Sequence, residues 1–425
     1  MKTRRSIPPA FLLLAFMLQL TLYAQEFKKV PANSVGLSSE RLEFLTNTFQ
    51  EYVDQGELPG AVVLVARKGQ IAYLNAFGKS DKENNLPMQE NSIFRIASQT
   101  KAIVSVGIML LQEEGKLLIT DPVGKYIPAF KETTVAVPQE GAAYEIVKAQ
   151  RPITIRDLLT HTAGIGYGQG IASDLWKQAN IQGWYFADRE EPIQATVSRM
   201  AALPFEAQPG EKFVYGYNTD ILGALIEVVS GESLDTFLKT RILDPLGMND
   251  THFYLPKAKS SRLTVVYSPT KKGLERAPNP GGMVGQGAYL DGPRVSFSGG
   301  AGFLSTAVDY AKFLQMMLNK GSFNGKQIIS PKTVALMTVN HLGAIPFPWE
   351  KGVGFGLGFS VVEDLGQRGV LGSKGEFGWG GAYHSTYWVD PQEELVVVYF
   401  TQLIPANGLD DHQKLRALVY QALMD

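Results

Sequence analysis

The strand signals of this 425-residue chain lie at its two ends, and helical periodicity fills the stretch between them. Near the N-terminus a β-branched run from Ala61 to Ala66 meets a Lys68-Gly69 turn and a second run from Gln70 to Phe77, a hairpin pattern. Near the C-terminus, Ser385 to Val389 and Glu394 to Gln402 form another hairpin about Asp390-Pro391. Leu42, Leu45, Phe49, Tyr52 and Val53 recur at helical spacing ahead of the first hairpin, with Ser38 or Ser39 as its cap. A last helix runs from about Asp410 to Leu423. The middle, from about Lys101 to Tyr254, reads as mostly helical with Gly- and Pro-rich loops, and Ile221 to Val229 closing at Gly231 is one such helix with its stop. Segregated strands and helices argue against a doubly wound parallel sheet. They predict an α+β fold: one antiparallel sheet built from both ends and flanked by helices, with a second, mostly helical domain from the middle. The expected division is 25–110 plus 290–425 for the sheet domain and 111–289 for the helical one. Pro278 to Gly302 reads as the loop returning to the sheet. A cleft between two such units is a natural ligand site.

Composition narrows the chemistry. The formal net charge is −1 and no basic stripe is present, so nothing points to a nucleic-acid partner. The absence of cysteine excludes disulfides, zinc–thiolate sites and a cysteine nucleophile. His161, His252, His341, His384 and His412 are scattered, without the i, i+4 spacing of a helical metal site, so no catalytic metal is expected. Lys2, Arg4 and Arg5 precede an apolar run from Ala10 to Leu22, and Leu22-Tyr23-Ala24 follows in the manner of a cleavage site. This predicts a signal peptide over residues 1–24, cut after Ala24, and a periplasmic or secreted protein. The run is shorter than the roughly 20 apolar residues a spanning helix needs, so no stable membrane anchor is expected.

Phe94-Arg95-Ile96-Ala97-Ser98-Gln99-Thr100-Lys101 opens an apolar helix, Ala102 to Leu111, that closes at Gly115. Ser98 at the helix start and Lys101 three residues on share a face, so the ammonium can reach the hydroxyl. A serine hydroxyl needs a base to become a nucleophile, and a buried lysine can serve. The same residues also fit a plain capping serine with a solvated lysine. A second Ser-x-x-Lys, Ser268 to Lys271, lies among Pro, Lys and Gly without a following helix and reads as a turn. No Gly-x-Ser-x-Gly elbow occurs. Gly164-Ile165-Gly166-Tyr167-Gly168 follows no strand and reads as a loop rather than a nucleotide site.

The Ser98 segment resembles the active-site helix of the serine β-lactamase and penicillin-binding-protein superfamily, above all the branch of class C β-lactamases and family VIII carboxylesterases. Ile153-Thr154-Ile155-Arg156-Asp157-Leu158-Leu159-Thr160-His161-Thr162-Ala163-Gly164 resembles its most recognisable loop, Tyr215 with Asp220-Ile221-Leu222-Gly223 its tyrosine motif, and Trp379-Gly380-Gly381-Ala382 the strand beside the nucleophile. The resemblance implies a serine hydrolase acting on small ester or amide substrates without a cofactor. It implies Ser98 as nucleophile, Lys101 and Tyr215 as proton carriers, and Ala382 N–H with Ser98 N–H as the oxyanion hole. Trp379, Gly380 and Gly381 would line the substrate. Tyr217 competes with Tyr215, and the lactamase Tyr-x-Asn pattern is absent because Asn218 falls one place late. Where many β-lactamases carry Lys-Thr-Gly, this chain has Trp379-Gly380-Gly381, so no lysine stands ready for a substrate carboxylate. Carboxylesterase is the expected activity. β-Lactamase or D-amino-acid peptidase is the alternative, and a binder acylated without turnover is the rival from another class. His161 is expected to be structural, and the role of His384 is open.

Overall fold

The structure, a computed structural model, describes residues 27–406 and 408–425; the expected signal peptide lies outside the described residues. Its centre is an eight-stranded antiparallel sheet. The strands are β1 (Gly60–Arg67), β2 (Gln70–Asp81), β3 (Leu86–Pro87), β4 (Val353–Phe355), β5 (Ser360–Val362), β6 (Phe377–Gly381), β7 (Ser385–Asp390) and β8 (Leu395–Thr401). Their order is β4-β5-β6-β7-β8-β1-β2-β3, so the two ends of the chain meet at the β8–β1 seam, where Val63 faces Tyr399. The expected α+β architecture is thereby realised.

Every residue of β1 is buried, because both sheet faces are covered. Val63 and Val65 point toward helices α1 (Ser39–Asp54) and α5 (Asp411–Tyr420), where Leu45, Phe49, Leu415 and Val419 complete one core. Val62 and Leu64 point the other way, into the main core shared with α2 (Thr100–Glu113) and α4 (Ala307–Leu318). Ser38, not Ser39, caps α1, accepting from Arg41 N.

Helix α2 carries the Ser-x-x-Lys motif and is buried from Thr100 through Leu111, as expected of a helix apolar on all sides. Gly107 lets α3 (Asn218–Ser230) approach: a Cβ there would lie 3.0 Å from Ile226 and Leu238 side-chain carbons. The sequence reading differs from the structure in two stretches. Thr134–Gln139 and Ala142–Lys148 form a hairpin inside the stretch read as helical. Its exposed residues include Ile146 as well as Glu145 and Lys148, and Pro138 interrupts it, so polar and apolar residues do not alternate cleanly. Ser268 lies in a short strand, Tyr267–Thr270, with the turn beginning only afterwards, and its Oγ donates to Ile404 O. Among the described residues no helix is long and apolar enough to cross a membrane.

Candidate active site

Ser98 sits in a 3-10 turn, Ala97–Gln99, that leads into α2, so the regular helix begins two residues later than the motif suggests. Ala97, just ahead of it, has φ +43°, the left-handed region that costs an alanine strain. Such outliers persist where the surroundings fix them. Here Gly381 of β6 lies so close that a Cβ would stand 2.6 Å from Ile96 O and 2.5 Å from Ser385 Oγ. The glycine therefore brings β6 against the Ser98 turn, as its place in Trp379-Gly380-Gly381 suggests.

Lys101 is 2% exposed. Its ammonium donates to Gly300 O (2.8 Å) and the Tyr167 hydroxyl (3.1 Å), stands 3.4 Å from Ser98 Oγ, and lies 4.6 Å above the Tyr215 ring. Ser98, Lys101 and Tyr215 are thus brought together. Tyr215 Oη accepts from Trp379 Nε1 at 3.0 Å. Tyr217, by contrast, is fully buried, stacked on Trp176, with burial and the charge of Asp220 holding its phenol far above its ordinary value. Asn218 is also buried and holds the loop: its amide donates to His161 Nδ1 (2.9 Å), Ile165 O (3.1 Å) and Val214 O (3.2 Å). His161 packs 4.7 Å from the Tyr215 ring, and burial, then Lys101, keep it neutral.

Two contributors escaped the sequence reading. Tyr167, from the glycine-rich loop, is the hydroxyl nearest the lysine; burial, then Tyr215 and Asp220, push its phenol well above its usual range, so it stays protonated. Asp220 is wholly buried, and its Oδ1 accepts from Ser298 Oγ (2.6 Å) and Gly300 N (3.0 Å). It thereby fixes the Gly300 carbonyl that holds Lys101. Burial raises its carboxyl above the usual value against the pull of Ser298 and Lys101. Gly300 is required there, since a Cβ would fall 2.3 Å from Asp220 Oδ2.

These groups open on a cleft of about 640 Å³ lined by Ser98, Tyr167, Tyr215, Trp379, Gly380, Gly381 and Ala382. One wall is aromatic: Trp349 is 58% exposed and lies 5.3 Å from Tyr215 and 5.6 Å from Trp379, with Phe347 5.5 Å beyond. Arg368 also lines the cleft but is committed to Glu350 (2.7 Å) and the buried Glu376 (2.9 Å). His384, Asp411 and His412 are, among the described residues, the one group of histidine and carboxylate side chains whose ligand atoms lie within 4.8 Å of one another. The Asp411 carboxylate is already taken up by His384, Tyr399 and the His412 backbone N–H.

A model of the beta-lactamase family matches residues 45–421. The chain belongs to that family. An uncharacterised Mycobacterium tuberculosis protein is 31% identical over 373 residues, 85% of this chain and 90% of its own. Esterase EstB of Burkholderia gladioli is 29% identical, covering 84% of this chain and 89% of its own. Among solved structures, EstCE1, described as a hydrolase with promiscuous acyltransferase activity, superposes with a TM-score of 0.76 at 27% identity, over 92% of this chain and 99% of its own. The beta-lactamase-family fold and a serine hydrolase built on it agree with the sequence reading.

Proposed function

We propose that this serine hydrolase is an exported carboxylesterase that works through an acyl-enzyme on Ser98. The observation that carries the reading is the buried Lys101 ammonium, 3.4 Å from Ser98 Oγ and above the Tyr215 ring, facing a strand that offers Trp379 in place of a lysine. Ser98 Oγ attacks the ester carbonyl while its proton goes to Lys101, which enters this step as the neutral amine, and Lys101 and Tyr215 hand a proton on to the departing alcohol. The oxygen that gains charge takes hydrogen bonds from the N–H groups of Ser98 and Ala382. Water then attacks the acyl-enzyme by the same proton route in reverse, and Ser98 is restored. Tyr167 accepts from Lys101 and positions the ammonium. No cofactor enters any step.

The aromatic wall of Trp379, Trp349 and Phe347 suits an apolar acyl or alcohol group, and Arg368 is already paired with Glu350 and Glu376. Ester cleavage also fits the names borne by EstB and EstCE1. The basic, apolar and small-residue order of residues 1–24 supports export to the periplasm or medium. A panel of p-nitrophenyl esters, a penicillin, a chromogenic cephalosporin and a D-amino-acid peptide tests the assignment. Steady ester turnover is expected. A single burst of product without turnover would instead mark an acylated sensor.

A further inference from the structure

The turn between β6 and β7, which carries Ala382, is clamped by a histidine in a backbone conformation suited to glycine. His384 has φ +63°. Its N–H donates to Gly381 O at 3.1 Å, closing the turn across Ala382 and Tyr383. Its Nε2 stands 2.8 and 2.9 Å from the two oxygens of Asp411, the first residue of α5, which is wholly buried. Burial opposes ionisation of Asp411, but the hydrogen bonds from His384 and Tyr399 (2.7 Å) and the nearby histidines outweigh it and hold the carboxyl below its ordinary value. With a carboxylate opposite, Nε2 is the donor. The His412 ring stacks on His384 at 4.1 Å, and its Nε2 donates to His384 O at 3.2 Å. Side chain, ring face and carbonyl of one strained residue are therefore all held by the start of α5. None of these groups shares a hydrogen bond with Ser98, Lys101 or Tyr215.

A left-handed non-glycine residue persists only where its surroundings over-determine it, and such residues mark places where position matters. We propose that the Asp411–His384 pair is a positioning device for the oxyanion hole. It fixes the turn so that Ala382 N–H is aimed, before substrate arrives, at the point where the carbonyl oxygen becomes negative. The proposal rests on the Ser98 reading above. His384 and Asp411 are positioning residues: they act through Ala382 and touch no reacting atom.

The test is a matched pair of substrates, an ester and its thionoester. Sulfur is the poorer hydrogen-bond acceptor, so the preference for the oxygen ester measures how well the hole is formed. His384→Gly keeps the backbone conformation and removes the clamp. We expect kcat on the ester to fall about tenfold with KM within about twofold, the scale of a donor loosened rather than removed, and the ester-to-thionoester preference to shrink by a similar factor. His384→Gln, whose amide nitrogen reaches the position of Nε2 and can donate to Asp411, should restore most of both. Asp411→Asn, which leaves the turn's sequence untouched, should move kcat and preference in the same direction as His384→Gly. Thermal melts check that each variant is folded. Equal loss on both substrates in the folded variants, or full activity in His384→Gly, would overturn the proposal. A fluorophosphonate probe separates the two readings: if Ser98 is labelled and the preference does not move, the clamp alone fails. If Ser98 is not labelled in the wild type, the nucleophile assignment fails and takes the clamp with it.

Discussion

The indole N–H of Trp379 donates to the phenol oxygen of Tyr215 at 3.0 Å, tying the strand beside Ser98 to the loop that precedes α3. Trp379 thus does more than offer an apolar face to substrate: it fixes where the Tyr215 hydroxyl sits. Trp379→Phe keeps an aromatic ring and removes the donor. One hydrogen bond of about 0.5–1.5 kcal/mol corresponds to a loss of about 2- to 12-fold. The check is kcat on p-nitrophenyl butyrate beside an unchanged melting curve.

Ser98→Ala should abolish fluorophosphonate labelling and lower ester turnover by several decades. Ser98 provides no side-chain cap to its turn or to α2, and among the described residues its Oγ meets only Lys101. The substitution should therefore shift folding stability by less than about 1 kcal/mol. Labelling that survives would send the search to another serine.

Tyr215→Phe and Tyr217→Phe differ in what they remove. The first deletes the hydroxyl of the ring above which Lys101 stands and should cost about 10²–10⁴-fold in kcat. The second removes a buried hydroxyl whose contact is the Tyr167 carbonyl at 3.5 Å, and should cost little rate. The reverse ranking in steady-state assays would reassign the proton carrier.

The ratio of kcat/KM for a short-chain p-nitrophenyl ester to that for a chromogenic cephalosporin should lie well above one. A β-lactam brings a carboxylate, for which an ammonium partner is worth about 1.5–3 kcal/mol, roughly 10- to 150-fold in efficiency. Arg368 and Arg416, the arginines that line the cleft, are occupied by Glu350 and Glu376. A ratio below one would promote the β-lactamase assignment.

Acid should destabilise the fold earlier than its carboxylates alone would dictate. Burial lowers His252 and His412 to about 4, with Lys259 and His384 respectively adding to the effect, and burial holds His161 well below 6.5. Between pH 6.5 and about 4 the unfolded chain binds protons at these sites and the folded chain does not. Stability therefore rises with pH across that window and is lost on acidification, by at most about 1.4 kcal/mol per pH unit for each histidine. Melting temperatures taken from pH 7 down to 4.5 check the sign, and His252→Asn should flatten the slope.

Ser98 and Lys101 were legible because their relation is local: three residues along a helical stretch fix the geometry. The centre of the sheet was legible because both hairpins carry β-branched runs and turn residues, whereas the two- and three-residue strands β3, β4 and β5 are too short to show a pattern. Tyr167 was not, since 66 residues separate it from Lys101 and a lone tyrosine between glycines has no periodicity to betray it. Asp220 stood inside a recognisable motif, yet its task of anchoring Gly300 depends on a segment 80 residues away. His384 was visible as a residue of unknown use, because its partner enters 27 residues later on another element. Contacts of this kind belong to the packing of distant segments, and no local pattern encodes them.

The seam at the middle of the sheet also sets a schedule for synthesis. Val63 has to find Tyr399, 336 residues further along the chain, before β1 gains its second neighbour. At about 5–20 residues per second, a growing polypeptide holds an apolar strand with one open edge for tens of seconds. Loop-closure entropy makes so distant a pairing slow as well. A ribosome stalled short of Leu395 would hold a chain with the β1–β2 hairpin formed and the other edge of β1 open, an adhesive species that depends on holdase chaperones until the last thirty or so residues emerge.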